Sequence, residues 1–249
     1  MRDAESLLFI TGAGLSADSG LPTYRGIGGL YDDADTDDGV AIEDALSGPM
    51  FRRDPALTWK YIRQIEQACR GAEPNEAHRR MAQLEQSGRR VWVLTQNVDG
   101  LHAAAGSRNV IDIHGDVHDL HCTRCDWASR VEDYAALGTL LPEREGVPRC
   151  PRCDGVVRPR VVLFGEMLPP AATAAYEREV QRNFDVVLSV GTSSLFPYIH
   201  GPVVVQARRG GTTIEINPGE TLVSEFAGIR VECGAAEAFS AFARLLDWP

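Results

Sequence analysis

Four cysteines carry the most specific chemistry in this chain of 249 residues: Cys122-Thr-Arg-Cys125 and, after 24 intervening residues, Cys150-Pro-Arg-Cys153. A two-residue gap lets one turn present both sulfurs to a single ion. Two such knuckles supply the four thiolates of a closed tetrahedral zinc shell, with no position left for substrate. A structural zinc is therefore expected, contributing on the order of 10 kcal/mol to the folding of a segment with little hydrophobic periodicity. A thioredoxin-like redox pair needs only one knuckle and buried free thiols need no spacing, so the matched pairs favour the metal. Cys69, on a helical pattern after Ile62 and Ile65, and Cys233 read as packing residues.

A second set of polar residues follows short apolar runs. Gly12-Ala13-Gly14-Leu15-Ser16-Ala17-Asp18-Ser19-Gly20 comes after the first run, and glycines there let backbone approach a pyrophosphate at a helix N-terminus. The spelling is neither G-x-G-x-x-G nor a Walker A loop, and a plain strand-to-helix turn also uses glycine. Its companions decide the matter: Thr95-Gln96-Asn97-Val98-Asp99-Gly100-Leu101-His102 offers an amide pair and a carboxylate, and Ile113-His114-Gly115 an imidazole followed by glycine. Taken alone, a histidine before glycine is most often a loop residue. The company of Asn97 and Asp99 raises His114, and His102, His118, His121 and His200 lack it. His78, in a helical pattern after Pro74-Asn75, reads as structural.

To hold these loops together, the chain needs strands that end beside one another. Apolar runs at 7–10, 91–94, 186–190 and 213–216 each end in turn residues and read as buried strands. Helical patterns lie between them, at 76–87 with Ala77, Met81 and Leu84 inward, and at 173–182. The alternation predicts an α/β fold, a Rossmann-like doubly wound parallel sheet whose ligands sit at the carboxyl ends of its strands. Two insertions break it and are expected to form a smaller zinc-containing lobe: 26–74, helical after a Gly- and Asp-rich stretch, and 119–157 with the cysteines. The larger lobe then comprises 1–25, 75–118 and 158–249 of a single domain.

Composition bounds the rest. Hydrophobic residues make up 44% and charged ones 24%, which excludes disordered and collagen-like chains. A formal charge of −10 with a sequence pI near 5.1 argues against direct binding to nucleic acid or anionic lipid and for a cationic partner. Five aspartates, Asp32, Asp33, Asp35, Asp37 and Asp38, make half of that imbalance local. Of the 25 basic residues only Lys60 is lysine, a skew that fits a GC-rich codon habit. No run of 18 apolar residues and no signal peptide are found. A cytoplasmic protein is expected, where structural disulfides are rare.

With these motifs in order, the sequence resembles the sirtuins, the family of NAD-dependent protein-lysine deacylases. The resemblance rests on 12–25, on Pro74-Asn75 with His78, on 95–102, on His114-Gly115, on the four cysteines, on 158–166, on Gly191-Thr192-Ser193 and on Ile216-Asn217-Pro218. It implies a cleft between two lobes where NAD meets an acyl-lysine peptide. It gives Gly12, Ala13, Gly14, Ala17, Tyr24 and Arg25 to the pyrophosphate and nicotinamide-ribose side of NAD, and Gln96, Asn97 and Asp99 to the ribose and nicotinamide pocket. Gly191, Thr192 and Ser193 fall on phosphate and adenine ribose, Asn217 on the adenosine end and Ala235 near adenine. Val162, Phe164, Gly165 and Glu166 match the strand that pairs with substrate backbone, and His114 matches the base, with Asn97 beside it in the catalytic set.

The family's chemistry makes sense of these types. The acyl oxygen attacks the ribose carbon bearing nicotinamide through an oxocarbenium-like transition state, which demands positioning more than a strong nucleophile. Asn97 would orient a ribose hydroxyl or water, Asp99 would hold the nicotinamide amide, and Tyr24 would cover the vacated face. Neutral His114, with an ordinary pKa near 6.5, would take the ribose proton so that the 2'-hydroxyl attacks the imidate. Free lysine, nicotinamide and an O-acyl-ADP-ribose would result.

Two departures and one absence refine the expectation. Thr23-Tyr24-Arg25 adds a hydroxyl where the family commonly has Phe, and the run Ser194-Leu195-Phe196-Pro197-Tyr198-Ile199 is shifted by about one residue against the usual apolar-apolar-x-Pro spelling. Family members that remove succinyl or malonyl groups carry a Tyr-x-x-Arg pair on a small-lobe helix. Aligned from Asp54-Pro55, those positions are Ile62 and Ile65, in a stripe with Trp59 and Cys69, while Tyr61 and Arg63 are too close in sequence to share a face. An uncharged acyl group, acetyl first, is expected; the alternative is that the stripe is core packing without bearing on substrate. The competing functions are ADP-ribosyl transfer or NAD hydrolysis, and a noncatalytic acyl-lysine or NAD sensor. The intact Asn97 and His114 favour deacylation. Acyl-lysine proteins with basic flanks are the expected partners, and short extensions at both ends suit a monomer.

Overall fold

A computed structural model gives the fold and describes residues 3–23 and 36–246. Tyr24, Arg25, Asp32, Asp33 and Asp35 lie outside the described residues.

The four expected strands form, each within one or two residues of its apolar run: β1 Ser6–Thr11, β2 Arg90–Thr95, β9 Val186–Val190 and β10 Thr212–Ile216. Two three-residue edge strands, β3 Val110–Asp112 and β11 Ile229–Val231, complete a six-stranded sheet in the order β11-β10-β9-β1-β2-β3. Every pairing in it is parallel. The edge strands are too short to leave a periodic trace, which is why only four stand out in the sequence.

Register is what makes the sheet a platform. Thr11 pairs with Thr95 and with Val190, Val190 with Ile216, and Thr95 with Asp112. The strands therefore end level, and the loops starting at Gly12, Gln96, Ile113, Gly191 and Asn217 leave from one row. Alternate residues of β1 face opposite sides, as the pleat requires. Leu7 and Phe9 pack with Met81 and Leu84 of α5 (Glu76–Gln86) and Phe239 of α10 (Ala235–Leu246). Leu8 and Ile10 pack with Ile199 and Val203 of α9 (Pro197–Arg208), and partly buried residues of α8 (Pro170–Glu179) join them. That α8 starts three residues before the expected 173: Pro170 sits at its first position, where a missing N–H costs nothing.

A separate hydrophobic cluster gathers residues between 42 and 163. It draws on α2 Ile42–Ala45, α3 Gly48–Arg53, α4 Pro55–Cys69 and α7 Leu137–Leu140. Beside them lies an antiparallel sheet of β5 Ala128–Arg130, β4 Gly115–Cys122 and β8 Val157–Val161, with a small hairpin of β6 Glu143–Arg144 and β7 Val147–Pro148. Trp59 is fully buried and its indole N–H donates to the Val157 carbonyl at 2.9 Å, tying α4 to β8. Trp59 and Ile62 belong to this core and Ile65 packs against it, so the apolar stripe of α4 is packing. Tyr61 reaches Asp38 while Arg63 reaches Glu143, so the two do point apart.

Candidate active site

The first and fourth loops of the row touch backbone to backbone. The Gly12 N–H donates to the Val190 carbonyl at 3.2 Å, and that of Gly14, in the short helix α1 (Ala13–Ser16), to the Gly191 carbonyl at 2.8 Å. A Cβ on Gly12 would lie 2.7 Å from Thr192 Cβ, and one on Gly14 2.9 Å from Gly191 Cα. Gly191 is left-handed at φ 58°, and a Cβ there would stand 2.2 Å from the Leu15 nitrogen. These glycines are required by the seating of one loop on the other, whatever lies above them. Ala13 is half-buried, Ala17 and Ser193 are exposed, and Thr192 is buried. Asp18 accepts from the Ala236 N–H at 2.8 Å, which holds the first loop to the start of α10 and to buried Ala235.

The second loop is wired to both. Gln96 Nε2 donates to Thr192 Oγ1 at 2.7 Å, and Asn217 Nδ2 donates to the Thr192 carbonyl at 3.3 Å. Asn97 Nδ2 donates to the Gly12 carbonyl at 3.1 Å and to Ser16 Oγ at 3.0 Å, and the Ser16 hydroxyl donates onward to Asp99 Oδ2 at 2.7 Å. The Leu101 N–H, at the start of α6 (Leu101–Ala104), donates to the other Asp99 oxygen at 2.9 Å. Burial pushes the Asp99 carboxyl above its usual range, opposed by these two donors. The sequence gives no sign of the part Ser16 plays: a serine beside glycines carries no mark of its own until its two partners are seen.

His114 stands at the head of β4. Its Nδ1 lies 3.2 Å from the Gln96 carbonyl, which can only accept, so Nδ1 carries the proton and Nε2 the lone pair. Nε2 lies 2.7 Å from the Tyr198 hydroxyl. Burial lowers the His114 pKa, opposed by the bond to Gln96, so the ring is neutral near pH 7, the state a base needs. Phe196 and Tyr198 meet the imidazole edge-on, with centroids at 5.6 and 5.9 Å.

Four other histidines are held by neighbouring groups. Asn75 caps α5, and its own N–H donates to His78 Nδ1 at 3.3 Å in a reciprocal box. Asn75 Nδ2 also donates to the Leu15 carbonyl at 2.8 Å and to Ser19 Oγ at 3.1 Å, so the Pro74-Asn75 motif supports the first loop from beneath. His78 meets buried His102 edge-on at 4.9 Å, and His102 Nε2 lies 3.0 Å from Thr11 Oγ1 on β1. His118 pairs with Asp116, and His200 Nδ1 faces the Ser194 carbonyl at 3.1 Å.

The segment after β8 runs past the base. Val162 N–H donates to the His114 carbonyl at 2.9 Å, and Phe164 bridges Ser47, its N–H donating to Leu46 and its carbonyl accepting from Gly48. Glu166 receives both Arg158 amino groups at 2.7 and 3.0 Å and the Leu163 N–H at 3.0 Å, so its carboxylate fixes this loop. Gly165 is left-handed at φ 77°. Met167 is 90% exposed and Leu195 63%, leaving apolar surface on the two segments that lead away from His114.

The four sulfurs converge at the far end of β4. Cys122 to Cys153, Cys125 to Cys153 and Cys125 to Cys150 are separated by 3.5, 3.5 and 3.6 Å, and all four lie within 4.8 Å of one another. A tetrahedron with zinc–sulfur bonds of about 2.3 Å has edges of about 3.8 Å, so the set fits one zinc. Gly155 leaves room for it: a Cβ there would lie 3.0 Å from Cys122 Sγ and 3.2 Å from Cys153 Sγ.

Comparison with known proteins agrees with this geometry. The Sir2 family profile matches residues 12–196. The NAD-dependent protein deacylase 2 of Pseudomonas aeruginosa is 50% identical over 234 residues, spanning 93% of this chain and 88% of that protein. A solved Sir2 homologue variant in complex with 2'-O-acetyl ADP ribose is 38% identical, with a TM-score of 0.84 over 99% of this chain and 93% of its own. A Sir2 structure with a p53 peptide and NAD+ is 29% identical, with a TM-score of 0.81 over 98% and 94%.

Proposed function

This chain belongs to the Sir2 family and is an NAD-dependent protein deacylase, and we propose that its row of loops removes uncharged acyl groups, acetyl first, from lysine side chains. The observation that carries the reading is the convergence of Asn97, Asp99 and His114 at the level ends of β2 and β3, wired through Ser16 to the glycine loop.

NAD supplies a ribose carbon whose bond to nicotinamide breaks and which then receives the acyl oxygen. For that chemistry we assign Gln96, Asn97 and Asp99 to the nicotinamide and its ribose, with Ala13, Ala17, Tyr24 and Arg25 beside the pyrophosphate. Gly191, Thr192, Ser193, Asn217 and Ala235 take the adenosine side. Asn97 is held by Gly12 and Ser16 rather than by solvent, so it presents its carbonyl oxygen in a fixed place. The carboxyl of Asp99 is half-buried and locked by two donors, suiting it to grip an amide from a fixed position. Neutral His114 accepts the ribose hydroxyl proton at Nε2, since Nδ1 is already committed to Gln96.

The α4 stripe is core and has no bearing on substrate; what supports an uncharged acyl group is that Arg63, the arginine of this stretch of α4, is engaged by Glu143 and points away from Tyr61. We place the enzyme in a reducing cytoplasm, since four of its six cysteines are set to hold zinc and none is in a disulfide, and read it as a monomer preferring basic residues around the acyl-lysine, in keeping with its negative charge. Helices long and apolar enough to cross a membrane are absent among the described residues.

The test is an acyl-peptide panel with NAD, read by mass spectrometry. O-acetyl-ADP-ribose from an acetyl-lysine peptide is the expected product. Faster turnover of succinyl-lysine overturns the acyl preference, and free ADP-ribose or a protein adduct without deacylation overturns the reaction.

A further inference from the structure

The shifted run after Ser193 places an aromatic hydroxyl on the base. We propose that Tyr198 is the chain's own ligand for His114, holding the lone pair of Nε2 until a substrate hydroxyl displaces it; this rests on the deacylase reading above.

The geometry leaves the base one acceptor. Nδ1 donates to the Gln96 carbonyl, so Nε2 must receive the substrate proton, and the Tyr198 hydroxyl occupies it at 2.7 Å. An O–H donating to nitrogen at that distance is the arrangement a substrate hydroxyl must reach before its proton moves. Tyr198 therefore stands where that hydroxyl has to be. It does not supply the proton itself, because burial pushes its phenol up to about 12 and keeps it a neutral donor. No covalent step is involved: one O–H leaves Nε2 and another takes its place.

The ring is half-buried, packed against the core and stacked on Phe196, and the backbone on either side of it is anchored. Ser194, left-handed at φ 58°, is buried with its N–H on Thr192 Oγ1 at 3.1 Å and its hydroxyl 3.3 Å from Ser189. Ile199, next to Tyr198, is fully buried in the core. Between these anchors Leu195 and Phe196 are exposed, and the Phe196 ring lies parallel to Tyr198 with centroids at 5.4 Å. Rotation of the Tyr198 side chain uncovers Nε2 without disturbing either anchor.

The experiment uses the full zinc-bound chain with Tyr198→Phe, which keeps the ring and removes the hydroxyl. Acyl transfer and nicotinamide exchange are measured on one acetyl-lysine peptide, and the imidazole 15N signals of His114 are recorded without ligands. The variant is expected to raise the ratio of acyl transfer to exchange by about two- to tenfold, the range set by one neutral hydrogen bond, and to shift the Nε2 signal. A ratio that falls shows the hydroxyl carrying the proton instead and overturns the proposal, as does a ratio or a signal that does not change. A wild-type chain that turns over no acyl-lysine peptide overturns the deacylase reading, and the 15N signals then still decide the contact.

Discussion

At one end of the β4 and β8 pair, His114 and Val162 are joined by a backbone hydrogen bond of 2.9 Å beside the row of loops. At the other end, Cys122 faces Val157 and leads into four sulfurs. The first end is assembled from many direct contacts: glycine backbone against glycine backbone, Asn97 to Ser16 to Asp99, Gln96 to Thr192. The second has two exposed turns and an ion site at the edge of the smaller cluster, which Cys122 and Cys150 join. Many small bonds fail by degrees, whereas a single ion fails all at once.

Removing the metal should give the largest effect. Structural zinc contributes on the order of 10 kcal/mol, comparable to the whole stability of an ordinary domain, about 5–15 kcal/mol. Cys150→Ser, or chelation, is expected to melt the 122–157 segment and abolish activity, while metal analysis of the wild type finds one zinc per chain. A stripped protein that keeps its melting temperature would erase the contrast between the two ends. Next comes His114→Ala, expected to slow acyl transfer by about 10²- to 10⁴-fold with little change in melting temperature and with nicotinamide exchange retained. Surviving acyl transfer would remove His114 from its role.

How much of this is legible in the sequence follows the same division. The zinc set can be read from spacing alone, because few arrangements other than a tetrahedral ion require two matched knuckles. The sheet can be read from apolar runs, except for β3 and β11, whose three residues leave no pattern. The glycines of the first loop point to a pyrophosphate in the sequence, and their tight fit against Gly191 and Thr192 is invisible there, since it depends on two loops about 180 residues apart. Ser16 and Tyr198 are hidden for the same reason: each acts through a partner distant in the chain. The α4 stripe shows the opposite failure, a pattern equally consistent with a pocket wall and with the core it proves to be.

Two smaller changes probe the hydrogen-bonded end. Gly191→Ala forces a left-handed alanine whose Cβ would lie 2.2 Å from Leu15 N. Strain of this kind costs about 1–3 kcal/mol before the clash is counted, so a lowered melting temperature and a raised KM for NAD are expected; an unchanged KM would separate the glycine seating from cofactor binding. Ser16→Ala leaves Asp99 without one donor and Asn97 without one acceptor, a loss of about 1–3 kcal/mol. It should appear in KM for NAD more than in melting temperature.

The effect smallest at neutral pH is the one that acid enlarges beneath the row. Burial lowers the His78 pKa to about 4 and that of His102 well below its ordinary value, and His78 Nε2 and His102 Nδ1 have no hydrogen-bond partner among the described residues. Both rings are neutral when folded, whereas in the unfolded chain they take up protons near pH 6.5. Their contribution is therefore fully present above about pH 6.5 and is lost as pH falls toward 4, by about 1.4 kcal/mol per unit for each ring. With zinc in excess, melting temperature measured from pH 7 to pH 4.5 should decline smoothly, and His78→Asn should flatten the decline. The Asn carbonyl oxygen can keep the bond from the Asn75 N–H but takes up no proton. A decline as steep in His78→Asn and in His102→Asn as in the wild type would place the acid sensitivity at the cysteines, whose thiolates also bind protons as zinc is released. The weakness toward acid would then belong to the metal-held end and not to the hydrogen-bonded one.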